Sequence, residues 1–162
     1  MDARRFASLL VVAASGWLAA LAHAQVPQYG PNVTYEQARK ALAGAIADAR
    51  RQAIPMAVAV VDTAGQLVAF ERMDNTQTAS TLVAQDKAMS AAMYRRPTKA
   101  FQDAVAGGGV GLRVLTLRGA NAAEGGLPLV IEGRIVGAIG VSGGSSEQDG
   151  VSAKAGQDAM TK

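Results

Sequence analysis

The densest group of side chains able to do chemistry is Tyr94-Arg95-Arg96-Pro97-Thr98-Lys99. Two arginines beside a proline break can clamp carboxylates or phosphates in bidentate fashion, and Thr98 offers a hydroxyl at a helix start. The same residues also suit a basic helix C-terminus favoured by the helix dipole, followed by an N-cap, and without further context that plainer reading is preferred. Arg72-Met73-Asp74-Asn75 follows an expected strand, where binding residues often sit, although a charged hairpin exit reads the same way. Glu124-Gly125-Gly126 places a carboxylate beside permissive backbone. Asp74 and Glu124 are therefore the two candidate acid/base groups. Gly137-Ala-Ile-Gly140-Val-Ser142-Gly143-Gly144 joins a strand to a helix start, where backbone N–H groups bind anions. Its spacing matches neither dinucleotide-binding nor P-loop fingerprints, so tight turn and ligand loop stand side by side. Asp86 and Lys87 are adjacent, cannot pair across one helix face, and are each free to look outward. The carboxylates show no calcium-loop spacing, and the methionines read as core filler.

The residue types that are missing narrow the chemistry further. The 162-residue chain has no cysteine, one histidine (His23) and one tryptophan (Trp17). Both of those lie in a segment that reads as a removable export signal over residues 1–24. Asp2, Arg4 and Arg5 form a charged start, Phe6 to Leu21 is an uncharged apolar run, and Ala22-His23-Ala24 gives a small-x-small cleavage pattern. The run is shorter than the ~20 residues that span a bilayer. Arg4-Arg5 invites a twin-arginine reading but Phe6 follows directly, so the route stays open. The mature chain from Gln25 would carry no His, Cys or Trp, and would be periplasmic or secreted, with no stable membrane anchor. That removes a Ser-His-Asp triad, a cysteine nucleophile, disulfides and the usual zinc sites. A formal net charge of +3 with no basic–aromatic interleaving gives no nucleic-acid surface.

The elements that must position these residues follow from periodicity. Gln25 to Val33, with Pro27, Gly30 and Pro31, reads as an exposed leader. Thr34-Tyr-Glu-Gln37 is a capping box opening an amphipathic helix with Ala38, Ala41, Leu42, Ala45, Ile46 and Ala49 on one face. Met56–Val61 and Gln66–Arg72, joined by Asp62-Thr-Ala-Gly65, form a hairpin. A second helix spans Thr78–Tyr94, and Thr98 caps a short third one that runs to Val105 and ends at Gly107-Gly108-Gly109. Leu127–Ile131, a tight Glu132-Gly133 turn and Arg134–Val141 form a second hairpin. A last helix starts at Ser145 with acidic first-turn residues and ends near Met160. Hairpins require antiparallel pairing, so the class is α+β in one domain and not a doubly wound parallel sheet.

Several of these pieces together resemble the GlcG/HbpS-like family of haem-binding or haem-degrading proteins. They are Val58-Ala-Val-Val-Asp62 with Gly65; Arg72-Met73-Asp74; Asp86-Lys87-Ala88; Arg96-Pro97-Thr98; Gly125-Gly126-Leu127-Pro128; and Gly133-Arg-Ile-Val-Gly-Ala-Ile-Gly-Val-Ser-Gly-Gly144 with Gln148-Asp149. The ordered set covers residues 34–160 and is distinctive through its Val-Gly-Ala-Ile-Gly-Val-Ser-Gly-Gly stretch. One departure is Gly150-Val151, where relatives commonly carry another acidic residue. The resemblance implies a profilin-like fold over 34–162, an antiparallel sheet of about five strands flanked by helices, assembled into homo-oligomers. It also implies varied functions: a secreted haem binder, a protein linked to glycolate metabolism and a domain attached to a corrinoid adenosyltransferase.

In the haem-binding members a hydroxyl contacts the iron, and Thr98 is the counterpart here. Three functions follow. The first is an exported binder of haem or a related tetrapyrrole without histidine ligation, with Arg95, Arg96 or Lys99 on the propionates and Thr98, Tyr94 or a methionine facing iron. The second is an enzyme or accessory protein for a small hydroxy acid or aldehyde. There Arg72 or Arg96 holds a carboxylate and Asp74 or Glu124 handles a proton. The third is a ligand-free oligomeric scaffold. Ser142, Gly143 and Gly144 complete the candidate ligand contacts.

Overall fold

A computed structural model of the chain describes residues 26–161. The segment read as an export signal lies outside the described residues. The element order is α1 (Tyr35–Arg51), β1 (Ala57–Asp62), β2 (Leu67–Arg72), α2 (Ser80–Tyr94), α3 (Lys99–Ala106), a 3-10 turn (Gly109–Thr116), β3 (Gly126–Ile131), β4 (Arg134–Ser142) and α4 (Ser146–Met160). None of the described helices is long and apolar enough to cross a membrane.

The capping box at Thr34 forms in full: the Thr34 hydroxyl accepts from the Gln37 N–H, and the Gln37 amide oxygen accepts from the Thr34 N–H. Ser145 and Gln148 repeat the device at α4. Satisfying these orphan donors fixes where each helix starts. The apolar stripe of α1 is buried as its spacing predicts. α1 lies against α4 through glycines. A Cβ at Gly44 would come within 2.5 Å of Ala159 Cβ, and one at Gly156 within 2.6 Å of the Ala41 carbonyl. Only hydrogen at these positions lets the two backbones approach so closely.

Both hairpins form, and β4 pairs with β1, giving a four-stranded antiparallel sheet ordered β2-β1-β4-β3. Four strands replace the expected five or so. The fragment that comes nearest to a fifth is the leader, where Tyr29 makes a single parallel bridge to Ile135. Pro27 and Pro31 lack the N–H groups that a longer ladder would need. The leader is largely exposed, yet it is tied down. Gly30 N–H donates to Ile135 O, Val33 N–H donates to Val136 O, and Val33 is buried. At the β3–β4 turn Glu132 and Gly133 both have positive φ, as a tight hairpin requires.

β1 has no polar face because both of its faces are covered. Val58 and Val60 join the core under α1 and α4, while Ala57, Ala59 and Val61 pack on the alanines of α2. α2 sits so close that a Cβ on Gly140 would lie 2.1 Å from Ala84 O. This explains the small residues of α2 and the glycines of β4 together: each makes room for the other.

Candidate functional site

Pro97 forces the break after α2, and Arg95 takes up the reversal in the left-handed region at φ 53°. That kink sends the two neighbouring arginines to different places. Arg95 lies over the Tyr29 ring, 5.6 Å from its centroid, and reaches Gln28. It therefore holds the leader, whose Tyr29 hydroxyl donates to Ala92 O at 2.8 Å. Arg96 lies 5.6 Å over the Phe101 ring. Tyr94 meets Phe101 edge-on at 5.1 Å and donates its hydroxyl to Arg118 O.

Arg96 and Phe101 open onto a cleft of about 210 Å³ between α3 and the 3-10 turn, lined also by Ala100, Ala104, Val110, Gly111, Arg113, Val114 and Leu117. Its lining is apolar apart from Arg96 and Arg113. Gly111 seats the turn on α3, since a Cβ there would lie 1.9 Å from Ala104 O. Beside the cleft the turn leaves large aliphatic groups in water: Val110 is 77% exposed and Leu115 68%. In sequence the glycine run 107–109 reads only as a helix end, and nothing in that reading announces the 3-10 turn or its cleft. The available signal is the acid-free stretch from Ala104 to Ala123, in which Val110, Leu112, Val114, Leu115 and Leu117 cluster around Arg113 and end at Arg118.

The other sequence candidates are dispersed. Thr98 stands at the N-cap position of α3 but does not cap it. It is fully buried, its hydroxyl accepts from Gly126 N–H at 2.9 Å, and its own N–H donates to Gly126 O at 3.0 Å. Thr98 thus clasps α3 to the start of β3. Lys99 is held by Asp103 at 2.7 Å with Glu124 at 4.0 Å. The Asp103 hydrogen bond raises its pKa against some desolvation. Glu124 is partly buried: its backbone N–H donates to Gln102, and its carboxylate lies over Gly150. A Cβ at 150 would sit 2.5 Å from that carboxylate, so any side chain there would displace Glu124. Arg72 and Asp74 line a separate cleft.

At the glycine-rich junction the backbone groups are already engaged. Gly144 N–H donates to Asp149 Oδ1 and Ser142 Oγ donates to Ser80 Oγ. A Cβ on Gly143 would strike Pro55 O at 2.3 Å. The anion at this helix N-terminus is the protein's own. The lowered pKa of Glu147 in the same turn has the same origin, a backbone N–H first and the Ser145 hydroxyl second.

Lys87 corrects a sequence expectation. It does not look outward; it is 2% exposed. Its Nζ donates to Asp149 Oδ2 at 2.7 Å and to Val141 O at 3.1 Å. Burial pushes the Asp149 carboxyl up, while Lys87 and the Gly144 N–H pull it down. Of the methionines, Met56 and Met160 are core, whereas Met93 is largely exposed. No group of three or more acidic or histidine side chains among the described residues is placed to hold a metal ion.

Residues 33–158 match the family model described as haem degrading protein HbpS-like. Among curated relatives, Protein GlcG of Escherichia coli K12 is 33% identical over 110 residues, covering 68% of this chain and 81% of its own. Among solved structures, the PduOC:heme complex superposes with a TM-score of 0.71 at 27% identity, covering 79% of this chain and 94% of that one. HbpS of Streptomyces reticuli, as a double mutant, gives 0.73 at 28% identity, covering 94% and 97%.

Proposed function

From the premise that this chain belongs to the HbpS-like family, we propose that it is an exported binder of haem or a related tetrapyrrole. The carrying observation is the apolar cleft with Arg96 and Arg113 at its edge. A tetrapyrrole needs an apolar surface for the ring and cations for its propionates, and the cleft offers both. The PduOC:heme relative lends the reading a solved precedent in this fold.

Phe101, Val114 and Leu117 take the ring edge in this proposal, and Arg96 and Arg113 take the propionates. At about 210 Å³ the cleft holds only part of the macrocycle; the remainder lies along Val110 and Leu115. Cleavage after Ala24 removes His23, so imidazole takes no part. Tyr94 and Thr98 flank the cleft in sequence without lining it; in this reading either hydroxyl reaches iron only by leaving its present partner, Arg118 O for Tyr94 and Gly126 N–H for Thr98. Weak axial ligation of that kind suits reversible holding over oxygen chemistry. A homo-oligomer is part of the same proposal, since it would cover the aliphatic groups of the 3-10 turn.

Titration of the purified protein with haemin tests the reading. A saturable, shifted Soret band is expected, and Arg96→Ala and Arg113→Ala each weaken binding about tenfold, on the order of 1.4 kcal/mol. A spectrum identical to free haemin at all ratios overturns it.

A further inference from the structure

We propose that the cleft at the exit of β2 is a second ligand site, for a small zwitterion of the α-amino-acid type. The cleft measures about 370 Å³ and is lined by Arg50, Glu71, Arg72, Met73 and Asp74, within the size range of small-molecule sites. It shares no lining residue with the apolar cleft of α3.

The telling feature is four charges that leave one another alone. Arg50, Glu71, Arg72 and Asp74 are all exposed. Neither arginine brings a nitrogen within 4.0 Å of either carboxylate. Elsewhere the same surface pairs its opposite charges readily, as Lys99 does with Asp103 and Lys154 with Asp158. The backbone around the cleft is fixed in place. Arg72 is in register with Ala57 on the sheet, and Met73 N–H donates to Met56 O. The nearly buried Thr76 donates its hydroxyl to Met73 O, and Asn75 turns the chain in the left-handed region at φ 63°. Arg50 is mounted on the last turn of α1.

A simple anion entering here gains the arginines but meets two carboxylates, and a simple cation meets the reverse. A ligand with both signs on adjacent carbons meets an opposite charge at each end. Its carboxylate takes the Arg72 guanidinium fork in bidentate geometry, and its ammonium faces the neighbouring Asp74. Met73 supplies an adaptable apolar wall for a short side chain.

The test is an NMR titration at constant ionic strength with L-alanine, and with propionate and ethylammonium as its two single-charge halves. Saturable shifts at Arg50 and Glu71–Asn75 are expected with alanine, with a dissociation constant near or below roughly 1 mM. Propionate and ethylammonium should bind about tenfold more weakly or worse. Arg72→Lys keeps the charge and loses the fork, so it should weaken alanine severalfold. Asp74→Asn should abolish the preference for alanine over propionate. An unchanged spectrum elsewhere certifies the fold of each variant. Equal responses to alanine and propionate, or no saturable shift at tens of millimolar, overturn the proposal. Haemin binding is read separately by the Soret band, so failure here and failure of the tetrapyrrole reading are distinct results.

Discussion

Lys87 shows what one residue can carry that its neighbours in sequence do not announce. An ammonium at 2% exposure persists only because Asp149 and a carbonyl surround it. Removing it strands a buried carboxylate, so Lys87→Met should cost about 3–5 kcal/mol by urea unfolding at neutral pH. The cost has a pH signature. Burial raises the Asp149 carboxyl from its usual value, against the pull of Lys87 and the Gly144 N–H. Its neutral form therefore favours the fold at low pH, and stability is lost as pH rises through its raised pKa. Without Lys87 that loss deepens. The deficit of Lys87→Met relative to the parent should therefore grow as pH rises from acid to neutral; a deficit independent of pH would refute the pairing. Thr98 gives a second residue-scale test. Thr98→Val keeps the shape and deletes the acceptor for Gly126 N–H, costing about 1–3 kcal/mol. The Soret maximum of the haemin complex read in the same variant reports iron contact directly: a moved maximum puts the hydroxyl on iron.

At the scale of elements, the parts governed by local rules were legible. Capping boxes at Thr34 and Ser145, the Asp62 turn and the Glu132-Gly133 turn all specify structure within a few residues. What joins the hairpins was not legible, because the β1–β4 ladder depends on residues some eighty positions apart and on α2 fitting against Gly140. The burial of Lys87 is invisible locally for the same reason, its partner being on α4. Arg72 and Asp74 were found from their strand-end position, but Arg50, on α1, was not. The 3-10 turn escaped because eight residues with three-residue periodicity give a weak pattern. Its seating rests on one hydrogen atom at Gly111. Gly111→Ala must push the turn away from α3, opening the apolar cleft. Far-ultraviolet circular dichroism should be nearly unchanged while haemin affinity falls at least tenfold. Retained affinity would detach the turn from the ligand site.

For the molecule as a whole, the described fold rests on packing. The chain has no cysteine to cross-link it, and two helical layers close over one sheet, with α1 and α4 on one face and α2 on the other. Stability gained from a ligand is therefore readable as a shift of one cooperative transition. A tetrapyrrole that binds the native state alone stabilises it by about 2.7 kcal/mol at a free concentration one hundred times its dissociation constant. For a chain of this length that corresponds to a rise in Tm on the order of 8 °C. The rise should shrink in Arg96→Ala and vanish in the Arg96→Ala, Arg113→Ala double variant, with the ligand-free Tm hardly moved because both side chains are solvent-exposed. A full rise in the double variant would mean that haemin stabilises the fold from somewhere other than the cleft between α3 and the 3-10 turn.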